Sequence, residues 1–264
     1  MIIFNTDLDN TIIYSYKHDI GENKICAEIY RNREISFITD KTAELLKAVN
    51  DTVILVPTTT RTLEQYNRIN LGLGVPKYAL VCNGGVLLKD GIEDEEWYNN
   101  SFKAVSDCQE ELSLAEEILK RDVNRTFEIR NIRRLFIFTK SDKPLESIGI
   151  LKSILDTSKV DVFNNGVKVY VVPKALSKGI AVNRLREKLY ADKVVSAGDS
   201  EFDISMLSAA DYAIAPKELS ELDRLPEHTV LFDGKGIFSE FVLEKVLDIA
   251  KELLGNKLNN LDAG

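Results

Sequence analysis

The chain opens with a short apolar run that ends in two carboxylates one residue apart. Residues 2–11 read Ile-Ile-Phe-Asn-Thr-Asp-Leu-Asp-Asn-Thr, which places Asp7 and Asp9 directly after a predicted buried strand. A second acidic pair, Asp199 and Asp203, follows Gly198 far along the chain. An unpaired buried carboxylate is unfavourable by several kcal/mol or stays protonated, so the convergence of these four groups would require a cation. Ligands that are all oxygen, without His or Cys nearby, favour Mg²⁺.

Short apolar runs alternate with helical patterns through the first part of the chain. Strands are predicted near residues 2–6, 53–56 and 78–82, with helices near 40–49 and 62–69. This alternation is typical of a parallel sheet covered by helices on both faces, in which ligands bind beyond the carboxyl ends of the strands. We therefore expect an α/β fold, a Rossmann-like doubly wound parallel sheet. The residues expected at its rim are Asp7, Asp9, Thr58, Thr59, Thr60, Asn83 and Gly84.

Two stretches interrupt this alternation. Residues 28–38 resemble a β-hairpin inserted after the first strand, with a turn at Arg31-Asn32-Arg33. From residue 85 onward, short strands joined by turns alternate with helices, and the first pattern returns after residue 174. We therefore predict an inserted α+β cap domain at residues 85–174 and a core formed by residues 1–84 and 175–264.

Composition narrows the classes of function. The 34 Lys and Arg against 42 Asp and Glu give a net charge of -8, which argues against a nucleic-acid partner because such proteins usually carry a basic face. The three cysteines, Cys26, Cys82 and Cys108, are an odd number at irregular spacing and predict neither a disulfide framework nor a zinc site. Since no window is long and apolar enough for a membrane span, we expect a cytoplasmic protein without a membrane partner.

The two amino-terminal carboxylates need different roles if they act on one phosphoryl group. On an extended segment residues i and i+2 point the same way, which would place Asp7 and Asp9 side by side. If Asp7 binds the cation, it stays ionised and can attack phosphorus, giving an aspartyl-phosphate. Asp9 could protonate the leaving oxygen and later deprotonate water, a role that favours a pKa raised by its acidic neighbour.

Four short motifs carry a family resemblance over essentially the whole chain. In order they are Asp7-Leu8-Asp9-Asn10-Thr11, Thr59-Thr60-Arg61, Leu176-Ser177-Lys178-Gly179 and Gly198-Asp199-Ser200-Glu201-Phe202-Asp203. Together they resemble the motifs of the haloacid dehalogenase-like (HAD) phosphatases. Asn83-Gly84-Gly85 resembles the junction to the cap in the Cof-like and sucrose-phosphatase-like branch, which carries a type IIB cap. The resemblance implies a HAD core with an inserted α+β cap that decides substrate specificity.

The resemblance also implies a role for each motif residue. Asp7 would be the nucleophile and Asp9 the general acid/base. Mg²⁺ would be held by the Asp7 carboxylate, the Asp9 carbonyl and Asp199, with Asp203 supporting the metal shell. Lys178 would neutralise the phosphoryl group and orient Asp7. The residues expected to bind phosphate or substrate are Thr59, Thr60, Arg61, Asn83, Gly84 and Lys178.

The chain departs from the family pattern at two positions. Asn10 stands where the family usually has Gly, and Asn tolerates left-handed backbone better than most residues. Thr60 stands at the Gly of the common Thr-Gly-Arg motif, and Thr58 flanks it. The position of the hydroxyl that faces the phosphate is therefore open by one residue.

These inferences predict a Mg²⁺-dependent phosphatase of small phosphorylated metabolites, sugar phosphates above all. A phosphomutase of the phosphomannomutase type is one alternative, because it would share the nucleophile and the acid/base, and Phe127-Glu128-Ile129-Arg130-Asn131 faintly resembles its arginine-bearing cap strand. A catalytically silent binding module that keeps the fold is the other. The sequence predicts neither the identity of the substrate nor the oligomeric state.

Overall fold

The computed structural model describes residues 1–222 and 224–261, with side chains as far as residue 255. The chain divides into two compact units. Unit 1 comprises residues 1–93 and 178–264, and unit 2 comprises residues 94–177. Among the described residues, no helix combines the length and the apolar character needed to cross a membrane.

The described residues form fifteen strands and eight α-helices. The strands are β1 (Ile2–Thr6), β2 (Tyr14–Ser15), β3 (Lys24–Tyr30), β4 (Arg33–Thr39), β5 (Ile54–Pro57), β6 (Tyr78–Val81), β7 (Val86–Lys89), β8 (Ile92–Glu93), β9 (Arg130–Ile132), β10 (Phe136–Lys140), β11 (Val160–Asn165), β12 (Lys168–Pro173), β13 (Lys193–Ala197), β14 (Tyr212–Pro216) and β15 (Thr229–Phe232). The helices are α1 (Asp40–Thr52), α2 (Leu63–Tyr66), α3 (Glu95–Ala104), α4 (Gln109–Arg121), α5 (Pro144–Ile154), α6 (Lys178–Leu189), α7 (Ile204–Ser208) and α8 (Phe238–Leu261).

Unit 1 is built on a five-stranded parallel sheet in the order β15-β14-β13-β1-β5. Alternate residues of β1 face opposite sides of this sheet. Phe4 packs in one core with residues of α1 and α8, whereas Val194, the β13 partner of Ile3, packs in a second core with residues of α6 and α7. Helices therefore cover both faces of the sheet. Because Asp7 is four residues after Ile3 on the same extended segment, it shares the face of Ile3 and lies on the side of α6 and α7.

The strand order reverses at β1, which lies between β5 and β13 in the sheet. The chain leaves β1 toward β5 on one side and returns through β13, β14 and β15 on the other. In open α/β sheets such a reversal opens a crevice beyond the carboxyl ends of the strands. Asp7, Thr58 and Gly198 follow directly on the carboxyl ends of β1, β5 and β13, so the fold brings the sequence motifs to one rim.

The predicted hairpin after the first strand is present. Strands β3 and β4 pair antiparallel around Arg31 and Asn32, which both have positive φ, as a two-residue hairpin turn requires. A backbone bridge pairs Glu28 with Ile69, and the Asn70 N–H donates to the Ala27 carbonyl at 2.8 Å. These contacts attach the hairpin to the segment that follows α2.

The unit boundaries differ from those expected from the sequence. The sequence placed the junctions after residues 84 and 174, whereas the structure has them after Glu93 and Ser177. The reason is that β7 pairs antiparallel with β6 and β8 pairs with β7, so this hairpin segment stays with unit 1. A parallel bridge from Thr58 to Leu80 joins the same segment to the carboxyl end of β5.

Unit 2 is an antiparallel sheet in the order β11-β12-β10-β9, backed by α4 and α5. Its core combines residues of these helices, such as Leu112 and Leu151, with one face of the sheet, including Ile137 and Val171. Unit 2 thus has an α+β architecture and a hydrophobic core of its own. A 3₁₀ turn at Ser106–Cys108 separates α3, which ends at Ala104, from α4.

Candidate active site

Three carboxylates from the two ends of the sequence meet at the rim of the unit 1 sheet. One carboxylate oxygen from each of Asp7, Asp199 and Asp203 lies within 4.8 Å of the others. The backbone fixes this arrangement, since the Asp7 N–H donates to the Ala197 carbonyl at 2.9 Å, which ties the end of β1 to the end of β13. Asp7 is 7% exposed and Asp203 is fully buried.

Lys178 lies inside this acidic cluster. It is the first residue of α6 and is 1% exposed, and its Nζ donates to Asp7 Oδ1 and to Asp203 Oδ1 at 2.6 Å each. Burial alone would lower the pKa of Lys178, but Asp203 and Asp7 outweigh it and hold the pKa above its ordinary value. The side chain is therefore a fixed ammonium that joins two carboxylates.

The second carboxylate oxygen of Asp203 is also held by hydrogen bonds. Its Oδ2 accepts hydrogen bonds from the N–H groups of Asp199 and Ser200 at 3.2 and 3.0 Å and from Ser200 Oγ at 2.8 Å. Gly198 makes this possible, because a Cβ at that position would lie 2.3 Å from the Cβ of Asp203. The Gly198-Asp199-Ser200 turn is thus shaped around the Asp203 carboxylate.

The cluster holds more negative than positive charge. Burial raises the pKa of Asp7 well above its usual value despite Lys178, and Asp203 and Asp199 raise it further. Burial, reinforced by Asp203, raises the pKa of Asp199 to about 7. Three carboxylates against one ammonium leave a deficit of positive charge, and the donors are all oxygen. This donor set fits Mg²⁺.

Thr11 contributes to the cluster, although no role was predicted for it from the sequence. Its hydroxyl donates to Asp199 Oδ1 at 3.2 Å. Asn10 precedes it with a φ of 59°, so the left-handed backbone that its position in the motif suggested is present. The turn after Asp9 therefore directs Thr11 toward Asp199, and the place of Thr11 in the first motif was the available signal.

Asp9 lies apart from this cluster. Its side chain is half exposed, and both of its oxygens accept from Arg61, Oδ2 from Nε at 2.8 Å and Oδ1 from Nη2 at 2.7 Å. The two first-motif carboxylates therefore have different environments. Asp7 is buried and faces Lys178, whereas Asp9 is partly hydrated and paired with a guanidinium.

The second-motif threonines differ in direction. Thr58 is fully buried and its hydroxyl contacts the Asn5 side chain at 3.3 Å and the Val56 carbonyl at 3.1 Å. Thr59 Oγ1 accepts from the Arg61 N–H at 3.1 Å, an arrangement that leaves the hydroxyl proton of Thr59 to donate elsewhere. Thr60 is partly exposed beside them. This geometry favours Thr59 over Thr58 as a donor to a ligand.

Asn83 and Gly84 lie in a strained turn that is bound to the second motif. Cys82, Asn83 and Gly84 have successive φ values of 54°, 58° and 86°, a left-handed run that is unfavourable for residues with a side chain. The Cys82 N–H donates to the Arg61 carbonyl at 2.8 Å and the Asn83 N–H to the Thr59 carbonyl at 3.0 Å. Strain of this kind is typical of functional sites.

Sequence reasoning missed Glu28, which is 1% exposed within the β3–β4 hairpin. Its carboxylate accepts from Arg61 Nη1 at 2.9 Å, Arg68 Nε at 3.0 Å and Ser36 Oγ at 3.0 Å. The pairing register shifts on either side of Glu28, and both Glu28 and its neighbour Ala27 are buried. Strand alternation would expose one of the two, so the sequence carried no signal for this residue.

Comparison with known proteins identifies the family. A sequence profile described as haloacid dehalogenase-like hydrolase matches residues 91–221. The chain belongs to the haloacid dehalogenase-like hydrolases. The predicted family is thereby confirmed, and so is the prediction that the chain is an enzyme of the phosphatase type within it.

Individual relatives of this HAD hydrolase are distant. The phosphoglycolate phosphatase of Methanopyrus kandleri is 27% identical over 186 residues, which cover 66% of this chain and 75% of that protein. The sucrose-phosphatase of Synechocystis sp. PCC6803, solved with sucrose and phosphate, matches with a TM-score of 0.65 at 18% identity and covers 94% of this chain and 97% of its own. A Thermoplasma acidophilum protein matches with a TM-score of 0.59 at 13% identity over 94% and 97%. The solved structures show the fold and confirm the predicted α/β class.

Proposed function

We propose that this HAD phosphatase is Mg²⁺-dependent and hydrolyses small phosphorylated metabolites, sugar phosphates above all, through an aspartyl-phosphate on Asp7. The observation that carries the proposal is the largely buried triangle of Asp7, Asp199 and Asp203, two of whose members, Asp7 and Asp203, are bonded to Lys178. Hydrolysis of phosphate monoesters needs one of the largest rate accelerations known, and positioning alone does not supply it. Preorganised charge around the phosphoryl group does.

Mg²⁺ would be held by Asp7 and Asp199 together with the Asp9 carbonyl, and Asp203 would support that shell. When bound, the ion supplies positive charge that neutralises the phosphoryl oxygens. The excess of carboxylates over cations in the cluster supports this assignment. Lys178 would add a second positive charge and keep Asp7 oriented.

In the first step, an Asp7 carboxylate oxygen would attack phosphorus while the bond from phosphorus to the leaving oxygen breaks. Asp9 would give its proton to that leaving oxygen. In the second step, Asp9 would take a proton from water, which attacks the aspartyl-phosphate and releases inorganic phosphate and free Asp7. The half-exposed position of Asp9 supports this role, because a group that gains and loses protons must exchange them with solvent.

The phosphoryl group would be bound by Thr59, Thr60, Asn83 and Gly84 in addition to Lys178. The available hydroxyl proton of Thr59 and the strained turn at residues 82–84 support this assignment. Arg61, expected from the sequence to bind phosphate or substrate, directs its Nε, Nη1 and Nη2 toward Asp9 and Glu28, which favours a role in holding Asp9. We further propose that unit 2 is the cap that decides substrate specificity and that the protein is cytoplasmic.

Phosphate release from a panel of phosphomonoesters, with Mg²⁺ and with a chelator, tests the proposal. The panel should include phosphoglycolate and several sugar phosphates, because the relatives' names point to both kinds of compound. The wild type should release phosphate only with Mg²⁺, and Asp7→Asn should release none. Asp19→Asn makes the same chemical change at an exposed position and should match the wild type. Equal turnover by wild type and Asp7→Asn would exclude the mechanism.

A further inference from the structure

We propose that Glu28 of the β3–β4 hairpin is a positioning residue that holds Arg61, so that the Arg61 guanidinium fixes the Asp9 carboxylate for proton transfer. The inference rests on the proposed function, in which Asp9 is the acid/base. It adds to the site a residue that lies outside all four motifs and belongs to the inserted hairpin.

Glu28 is fully engaged by positive and polar groups. Its Oε2 accepts from Arg61 Nη1 at 2.9 Å and from Ser36 Oγ at 3.0 Å, and its Oε1 accepts from Arg68 Nε at 3.0 Å. A buried carboxylate with two guanidinium partners on separate oxygens has little freedom to rotate. Glu28 is therefore a fixed point for both arginines.

Arg61 transmits this position to Asp9 because its guanidinium is planar and rigid. One edge, Nε and Nη2, donates to the two Asp9 oxygens at 2.8 and 2.7 Å. The other amino group, Nη1, donates to Glu28 and lies 3.5 Å from the Gln65 carbonyl. When the Nη1 end is held, the plane of the guanidinium and the direction of its Nε edge are set as well.

Asp9 needs such support because its pairing with Arg61 is partly exposed to water. Half of its side chain is exposed, and a solvent-exposed ion pair typically contributes only about 0–1 kcal/mol. The contact between the Glu28 carboxylate and Arg61 is better shielded, because Glu28 is buried and only 13% of the Arg61 side chain is exposed. Removing Glu28 would take away the buried counter-ion that Arg61 and Arg68 share, leave Arg61 paired with Asp9 alone, and release Arg61 from its orientation.

Further contacts hold the hairpin in place around Glu28. The Glu28 backbone bridges to Ile69, and the Arg68 guanidinium lies 4.5 Å from the centroid of the Tyr30 ring. The register shifts beside Glu28 turn this one side chain inward. The bulge thus directs a charged side chain into the interior at the point where it contacts the second motif.

The dependence of the rate on the leaving group distinguishes positioning of Asp9 from a general loss of structure. An alkyl phosphate such as glycerol phosphate needs a proton on its leaving oxygen, whereas p-nitrophenyl phosphate releases a stable anion and does not. We expect Glu28→Gln to lower kcat/KM for glycerol phosphate by roughly 10- to 100-fold, the effect of misplacing a catalytic group by about 1 Å. The value for p-nitrophenyl phosphate should stay within about threefold of the wild type, because kcat/KM reports the first irreversible step.

Matched variants complete the experiment. Glu34→Gln makes the same change at an exposed position of the same hairpin and should leave both substrates unaffected. Glu28→Ala should reproduce the leaving-group effect more strongly; if it does not fold, Glu28→Gln carries the test, because it keeps the size of the side chain and one acceptor oxygen. Equal losses on both substrates, or no loss on either, would overturn the proposal.

A second readout needs no activity. The Arg61 Nε–H is held by Asp9, so its exchange with deuterium, followed by nuclear magnetic resonance of ¹⁵N-labelled protein, should be slow in the wild type and faster in Glu28→Gln. Unchanged exchange would show that Glu28 does not hold Arg61. If the wild type hydrolyses neither substrate, the proposed function fails, and the exchange measurement still decides whether Glu28 orients Arg61.

Discussion

Replacement of Asp7 by Asn should abolish turnover and yet stabilise the metal-free protein. The carboxylate of Asp7 is buried, and its pKa is raised by that burial and by Asp203 and Asp199 despite Lys178. A raised pKa means that the folded state favours the neutral form. At neutral pH the unfolded chain gains free energy by ionising Asp7, and the folded chain gains less, so the ionised group weakens folding. Asn supplies a neutral side chain of almost the same shape.

The magnitude follows from the distances. At 2.6 Å and an effective dielectric constant of about 20, Lys178 attracts Asp7 by about 6 kcal/mol. Two carboxylates within 4.8 Å repel it by about 3.5 kcal/mol each, so attraction and repulsion almost cancel. What remains is the desolvation of a buried charge, which is several kcal/mol, reduced by the burial of the new amide. We expect a gain of about 1–2 kcal/mol, or roughly 2–8 °C in Tm.

Thermal unfolding with a chelator and with saturating Mg²⁺ checks this reasoning. In the chelator, Asp7→Asn should melt above the wild type, and the exposed control Asp19→Asn should melt within the error of the wild type. Mg²⁺ at about 100 times its Kd should stabilise the wild type by about 2.7 kcal/mol. The variant lacks one ligand and should gain much less. A variant that is less stable than the wild type in chelator, or that gains as much from Mg²⁺, would refute the electrostatic account.

Three further predictions concern the same cluster. The pKa of Asp199 is raised from an ordinary 3.8 to about 7, so its favourable contribution to metal-free stability is present at low pH and is lost as the pH rises from about 4 to about 7. Because Mg²⁺ needs the ionised carboxylate, protonation of Asp199 should lower the apparent Mg²⁺ affinity in titrations by up to roughly tenfold per pH unit below about 7. Asp199→Asn should weaken this dependence to the part that the raised pKa of Asp7 contributes. Gly198→Ala should lower the free energy of unfolding by about 1–3 kcal/mol and remove the Mg²⁺-dependent rise in Tm, because the new Cβ would displace Asp203. The control Gly149→Ala in α5 places its Cβ in open space and should raise the free energy of unfolding by about 0.5–1 kcal/mol, as measured by urea unfolding. Lys178→Met should lower metal-free stability by about 3–5 kcal/mol in the same assay, because it leaves buried carboxylates without their cation.

The parts of this fold that the sequence predicts are those set by local pattern. The strand before Asp7 and the helix beginning at Asp40 lie where expected, because a continuous apolar run and a helical period each suffice to define them. The hairpin between β3 and β4 was signalled by its polar turn. Domain boundaries were less predictable, since whether the β6–β7 hairpin belongs to unit 1 depends on pairing between segments, which periodicity does not report.

The contacts of the candidate site were likewise predictable only in part. The meeting of Asp7 and Asp199 at one sheet rim was predicted from the sequence, because residues that follow neighbouring parallel strands share that rim. The side chains that pair with Asp9 were not predicted. Sequence spacing suggested that Asp9 would stand beside Asp7, but the side chain instead pairs with Arg61, and Arg61 is held by Glu28. That chain of contacts depends on a β-bulge, which changes the direction of one side chain without any change of residue type.

The environments of the two first-motif acids suit the opposite roles that we propose for them in one reaction. A nucleophile must be ionised when it reacts and shielded from water, and Asp7 is buried against Lys178, which together with the proposed Mg²⁺ would compensate its charge. An acid/base must exchange protons with solvent while keeping a fixed direction, and Asp9 is half exposed but held at both oxygens. Two carboxylates separated by one residue acquire these properties from different partners. In the proposed mechanism the nucleophile depends on α6 and the acid/base on the second motif and the hairpin, so variants in the hairpin should change proton transfer and leave the nucleophile intact.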